Sequence, residues 1–290
     1  MALEYSNQEI PEGINTSKDH PLKEFLLLTG GVMVSIAALV LILVLLSDFI
    51  VDYIPFSWEQ QLSIPFSDPD NADSSEQAAK PIEVYLQALA ERLSAAQNLP
   101  EGMLIKTHYI DDKTVNAFAT LGGHVFFFRG LLEKLPNENA LAMLMAHEIA
   151  HVKFRHPIRS LGRGVVVGLL MSLISSSIGD AIMQGFVNEA GYLTVLKFGR
   201  DMEAESDEAA LAALLSLYGH LEGADDLFRV LQREYDDKEP FEFFSTHPLT
   251  DDRISNIRNK ARQQRQIAAV NELTPLPEAF SNWVAVKETP

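Results

Sequence analysis

No cysteine occurs in the 290 residues. That absence excludes disulfide frameworks, iron–sulfur clusters and thiolate zinc sites, so any metal must be held by histidines and carboxylates. Basic residues are also scarce: 23 Lys and Arg stand against 40 Asp and Glu, giving a net charge of −17 and a pI near 4.8. A phosphate backbone needs a positive face, so no nucleic-acid partner is expected. There is no internal repeat and no low-complexity tract. What remains, 47% hydrophobic and 22% charged residues, is the composition of a globular chain rather than a fibrous or wholly disordered one. Its length suits one or two domains with a sizeable core.

The longest uncharged run contains the 22 residues from Phe25 to Leu46. As a helix it spans about 33 Å, close to a hydrocarbon core of about 30 Å. A cleaved signal peptide has an apolar region of about 7–15 residues behind a basic start. Here the first 24 residues carry five acids against Lys18 and Lys23, and no small-x-small cleavage site follows in Ser47-Asp48-Phe49-Ile50-Val51-Asp52. Residues 25–46 are therefore expected to be an uncleaved transmembrane anchor. Lys18 and Lys23 precede the run and the next base is Lys80, so residues 1–24 are expected to be a cytoplasmic tail with the bulk of the chain across the membrane. From 47 to 76 there are seven acids, no base and three prolines. Residues 47–75 accordingly read as an extended, solvated linker.

Residues 76–268 read as one α+β domain, mostly helical with a small β-sheet. Apolar residues recur at near-helical spacing from Pro81 to Gln97. Met103 to Ile110 alternates as a strand, and two β-rich runs flank Leu121-Gly122-Gly123 as a hairpin. Asn137 is placed to cap a helix running to about Arg155, ahead of Pro157. Residues 269–290 form a tail.

Within that helix lies His147-Glu148-Ile149-Ala150-His151. Residues four apart share a helical face, so both imidazoles reach one cation and Glu148 reaches its water. With 8 His in the chain, about 0.02 copies of such a motif are expected from composition alone. A hydrolytic zinc site needs three protein ligands and an open position, so a further ligand is due on another helix. Glu203-Ala204-Glu205-Ser206-Asp207 offers it. Glu203 and Asp207 share a face, one able to bind the metal while the other orients a ligand imidazole. The spacing does not rank Glu203 above Glu205 or Glu208.

Three blocks stand in order from about residue 76 to about residue 265: Val115-Asn116-Ala117-Phe118-Ala119 with Gly122-Gly123 and Arg129-Gly130-Leu131-Leu132, the His147–His151 motif, and Arg200 followed by Glu203 and Asp207. Together they resemble the HtpX-like and BepA-like zinc endopeptidases of metallopeptidase family forty-eight. That family, of gluzincin type, includes the CAAX prenyl endopeptidases and the mitochondrial inner-membrane stress protease. The resemblance implies a zincin-like domain with one Zn²⁺ on His147, His151 and Glu203. It makes Asp207 the partner of a ligand imidazole and Glu148 the general base. Ser206 stands where the family usually has Ala. It also makes the strand Gly123 to Phe128 an edge along which an extended peptide lies, drawing in Asn116, Gly123, His124, Val125 and Phe126; main-chain bonds to an edge hold a peptide without demanding its sequence. A His-Pro block similar to Thr246-His247-Pro248 occurs in the family, whose histidine can take the open zinc position in the resting enzyme, and this carries to His247.

The other histidines, among them His108, His124 and His156, lack a partner pattern and read as surface or internally satisfied. Gly164 to Ile178 is a second uncharged run of 15 residues, short for a span. Its return pass, Ala181 to Phe198, carries Glu189 and Lys197, which are costly in hydrocarbon. These helices are expected to pack in the domain or lean on the bilayer without crossing; the alternative is a two-crossing hairpin, since the resembled family includes members with four spans. The chain thus reads as a single-pass, inner-membrane zinc endopeptidase facing the periplasm and acting on misfolded or membrane-proximal proteins. The competing function is a chaperone or assembly adaptor with a structural or self-closed zinc site.

Overall fold

The computed structural model describes residues 21–63, 81–174, 198–226, 228–230, 243, 246–248, 250–267 and 272–284. Most of the N-terminal segment 1–24, the second part of the segment read as a linker, the Ala181–Lys197 stretch and the chain end lie outside them.

Helix α1 (Pro21–Val51) contains the expected anchor and extends past it. Among the described residues it is the one helix long and apolar enough to cross a membrane. Helix α2 (Phe56–Leu62) follows. The extended, solvated linker is therefore corrected over residues 47–63. Phe56 lies against the Gly123 backbone, and Glu59 is buried with its carboxylate 2.6 Å from Arg155 Nε. Asp48 and Asp52 pair with Arg163 and Arg159. Long-range cations, invisible in local composition, turn acids that look like spacer charges into docking points.

Helix α3 (Pro81–Ala96) begins at a proline, whose ring suits a first helical position, and buries Ile82, Leu86, Leu89, Ala90 and Leu93 on one face. The sheet holds β1 (Lys106–Ile110), β2 (Ala117–Ala119) and β3 (His124–Phe128) in the order β1-β3-β2. β2 and β3 form the expected antiparallel hairpin, Phe118 opposite Phe126. Its turn requires glycine: Gly122 and Gly123 have φ of 74° and 88°, and a Cβ on Gly123 would meet the Leu104 carbonyl oxygen at 2.1 Å.

The placement of β3 as an edge is overturned. β1 pairs with it in parallel from Lys106↔His124 to Ile110↔Phe128, so both hydrogen-bonding sides of the strand are taken. Val125 and Phe126 are buried in the middle of the sheet, and none of Gly123 to Phe126 offers a free edge to a peptide.

After a short turn α4 (Arg129–Leu132), helix α5 (Glu138–Lys153) opens where Asn137 accepts a hydrogen bond from the Ala140 N–H at 2.8 Å. Every residue from Glu138 to Val152 is buried, the mark of a helix enclosed on all sides. α6 (His156–Ile174) leaves it at Arg155, which has φ of 61°. α7 (Arg200–Tyr218) packs along α5, placing Ala210, Leu211, Ala213 and Leu214 in the shared core, and ends at Gly219 in the left-handed conformation. α8 (Asp251–Ile267) and the short α9 (Phe280–Val284) close the body. The main core joins α3, the sheet, α5, α7 and α8. A smaller cluster of Val51, Leu121, Ile158, Phe198 and Met202 ties the end of α1 to α6 and α7.

Candidate metal centre

Helical periodicity on α5 turns His147 and His151 to one side, with their Nε2 atoms 3.0 Å apart. α7 brings Glu203 across: Oε2 lies 3.4 Å from His147 Nε2, and Oε1 lies 3.5 Å from His151 Nε2. His247 completes the group, its Nδ1 being 3.4 Å from His147 Nε2 and 3.1 Å from Glu203 Oε1. Four donor atoms thus lie within 4.8 Å of one another, all in buried residues. Tetrahedral ligands about 2.0–2.1 Å from a zinc ion stand about 3.3 Å from each other. These separations fit that geometry, and the donor set of three imidazoles and one carboxylate suits zinc.

Around the donors is a shell of charge. Asp207 Oδ1 is 3.0 Å from His147 Nδ1, the orienting contact that leaves Nε2 for a cation. Arg253, at the start of α8, donates to both Asp207 oxygens at 2.7 and 2.9 Å and lies 2.5 Å from Glu203 Oε2. It also donates to the Pro248 carbonyl at 3.0 Å, which fastens the His247-Pro248 block to α7. Burial opposes a charge on His147, yet the hydrogen-bonded Asp207 and Glu203 outweigh it and hold the imidazole up, at about 9. Burial and the neighbouring His147 push His151 well below the ordinary histidine range. Burial also disfavours charge on Glu203, but His247 and His147 hold it well down as a carboxylate.

Glu148 is fully buried beside the cluster. Neither carboxylate oxygen makes a well-formed hydrogen bond among the described residues, and His247 Nε2 lies 3.4 Å from Oε1. Burial raises its pKa, offset only in part by His247 and His147. That is the setting of a base held ready for a proton.

Glu205 and Glu208, left open by spacing alone, point elsewhere: Glu208 bonds Asn256, and Glu205 contacts His156 at 3.2 Å. His156, read as a surface or internally satisfied histidine, is buried and satisfied from within. Its Nδ1 lies 2.9 Å from His151 Nδ1, so it serves the second imidazole as Asp207 serves the first. In a continuous helix a residue five positions on is rotated by about 140°, away from the His151 face. The break at Arg155 brings it round, and no local pattern announces that. Phe198 stacks on His151 at 3.9 Å between ring centres. Asn116 is buried, with its carbonyl accepting from the Phe128 N–H at 3.1 Å.

The family model described as Peptidase family M48 matches residues 82–261. Among the chain's relatives, the beta-barrel assembly-enhancing protease of Yersinia pestis is 30% identical over 195 residues, covering 62% of this chain and 39% of its own length. Mitochondrial metalloendopeptidase OMA1 of Schizosaccharomyces pombe is 29% identical over 206 residues, covering 69% of this chain and 60% of its own. The chain therefore spans between 39% and 60% of the length of these relatives. Because the matched region takes in the sheet, both metal-facing helices and the His247 block, the chain belongs to Peptidase family M48, a family of metal-dependent peptidases.

Proposed function

We propose that the chain is a zinc endopeptidase anchored in the inner membrane by α1, with residues 76–268 as a periplasmic peptidase domain acting on misfolded or membrane-proximal proteins. The convergence of His147, His151, Glu203 and His247 beside the fully buried Glu148 carries this reading. Relatives named as a protease and a metalloendopeptidase support peptide hydrolysis as the activity. The length of α1 and the Lys18/Lys23 bias support the anchor and its orientation.

Bound on these donors, Zn²⁺ supplies Lewis-acid chemistry, acidifying a water and polarising a peptide carbonyl. Glu148 takes a proton from the attacking water at a carboxylate oxygen and returns it to the leaving amine nitrogen. Asp207 and His156 hold the Nδ1 atoms of His147 and His151, keeping each Nε2 turned to the ion. His247 closes the resting site, its Nδ1 beside the donors and its Nε2 beside the base. The Phe243 N–H also bonds the Val115 carbonyl just ahead of β2, so the segment leading to His247 lies on the side from which a peptide would meet that strand.

The test is purified wild type against Glu148→Gln, with zinc measured and an unfolded protein as substrate. Loss of a general base is expected to slow cleavage by about 10²–10⁴-fold with zinc retained; equal cleavage would end the protease reading. His247→Ala is expected to raise proteolysis while zinc content stays high, and unchanged activity on every substrate would remove the switch. Burial of all four donors favours a second reading, a chaperone or assembly adaptor with a self-closed zinc site. That reading expects neither variant to alter cleavage.

A further inference from the structure

α1 exposes its side chains nearly all round, with one exception. Val40, Leu43, Val44, Ser47 and Asp48 are half-buried and Val51 is buried, a single face at helical spacing. α6 covers that face. Arg163 donates to both oxygens of Asp48 at 2.9 and 2.6 Å, and Arg159 donates to Asp52 at 2.6 Å. A step of four residues toward the C-terminus of α1 matches a step of four toward the N-terminus of α6, so the two helices run antiparallel. Gly162 sits against Ser47, where an added Cβ would lie 3.6 Å from the Ser47 Cβ.

Continuing this register sets residues 164–174 beside residues 37–47, the domain-side half of the uncharged run. Nothing in 164–174 is charged. Gly164 and Gly168 stand four apart, the small-xxx-small spacing that lets helices approach closely in lipid, and Gly168 is buried. Outward, Val167 and Leu169 are 40% and 56% exposed, continuous with the bare apolar flank of α1. In water such paired flanks would form a contiguous apolar patch, which soluble surfaces rarely tolerate.

We infer that the second half of α6 lies in the bilayer beside α1, with the Asp48–Arg163 and Asp52–Arg159 pairs at headgroup level. This rests on the reading of α1 as a membrane span and departs from the expectation that the run after Gly164 packs in the domain or leans on the bilayer surface. The 11 residues from Gly164 to Ile174 reach about 16 Å, roughly half of a hydrocarbon core of about 30 Å. From Arg163 back to His156 is about 10 Å of helix, and His156 touches His151. The metal centre therefore stands close over the lipid surface, and the fitting substrate is a protein segment emerging from the membrane.

Lack of native cysteine makes single-cysteine reporters clean. In membranes carrying the full chain, a water-soluble maleimide is expected to label Val84→Cys on the domain surface, and to reach Val34→Cys and Leu169→Cys only after denaturation. Labelling of Leu169→Cys with Val34→Cys still shielded would overturn the inference and leave the anchor standing. Labelling of Val34→Cys would overturn both. A spin label on Leu169→Cys is expected to collide readily with oxygen and poorly with a nickel chelate; poor collision with both would mean a protein cover and overturn the inference. The register has its own check. Ser47→Cys with Gly162→Cys is expected to form a disulfide on oxidation, since Cβ atoms about 3.5–4.5 Å apart can be bridged; two free thiols would overturn the pairing.

Discussion

Two groups of histidines sit in this chain at nearly the same mutual distance and in different electrostatic surroundings. On α5, His147 and His151 meet at 3.0 Å; across β1 and β3, His108 Nε2 and His124 Nδ1 meet at 2.8 Å. The first pair is buried among Glu203, Asp207 and Glu148. The second is half-buried, with Lys106 close by and Phe126 stacked on His108. Carboxylates hold His147 up, at about 9, whereas burial, then His124 and Lys106, push His108 down to about 4. Contact between imidazoles is common to both. Whether a cation is welcome depends on the anions around them, and only the α5 group has those.

The harshest way to break the contrast is Arg253→Met. It leaves Glu203 and Asp207 buried without their guanidinium and is expected to cost about 3–5 kcal/mol in the metal-free protein. Thermal unfolding should show this loss, and added zinc should recover part of it by supplying the missing positive charge. Next in size is His156→Ala, expected to weaken zinc binding by about 10–100-fold in a chelator competition. His124→Ala should leave that affinity unchanged; equal losses would mean that the two histidine groups are not distinct.

Acid gives the mildest test. Because His108 is depressed in the folded chain to about 4 from the ordinary 6.5, the unfolded chain takes up its proton first as pH falls. Its contribution to stability is complete above 6.5 and is lost as pH drops from there toward 4. His124 is depressed in the same direction, by burial first and then Lys106. His108→Phe is expected to flatten this part of the stability–pH curve, and an unaltered slope would show that the sheet pair does not contribute to it.

Much of the metal centre is written locally. The motif from His147 to His151 needs only helical spacing to face one ion, and Asn137 caps that helix as its side-chain chemistry suggests. The hairpin is equally local, resting on a Gly-Gly turn with positive φ. Three features resist such reading. β3 looks like an edge until β1, the strand ahead of the hairpin, takes its outer side. Glu59, Asp52 and Asp48 look like solvated spacer charges until Arg155, Arg159 and Arg163 meet them from about a hundred residues away. His156 looks isolated until the chain turns at Arg155.

By itself the sequence determined the elements whose signals repeat at short range: an apolar run long enough to cross a bilayer, a helix with two imidazoles on one face, and a second helix with carboxylates four apart. Only the tertiary structure decided that His156 backs His151, which strand edge is free, and that Arg253 clamps Glu203 and Asp207 together. The physical reason is range. Helical and strand periods are set by backbone geometry over a few residues, whereas charges and hydrogen-bond donors choose partners through space, and their choice follows the packing of the whole core.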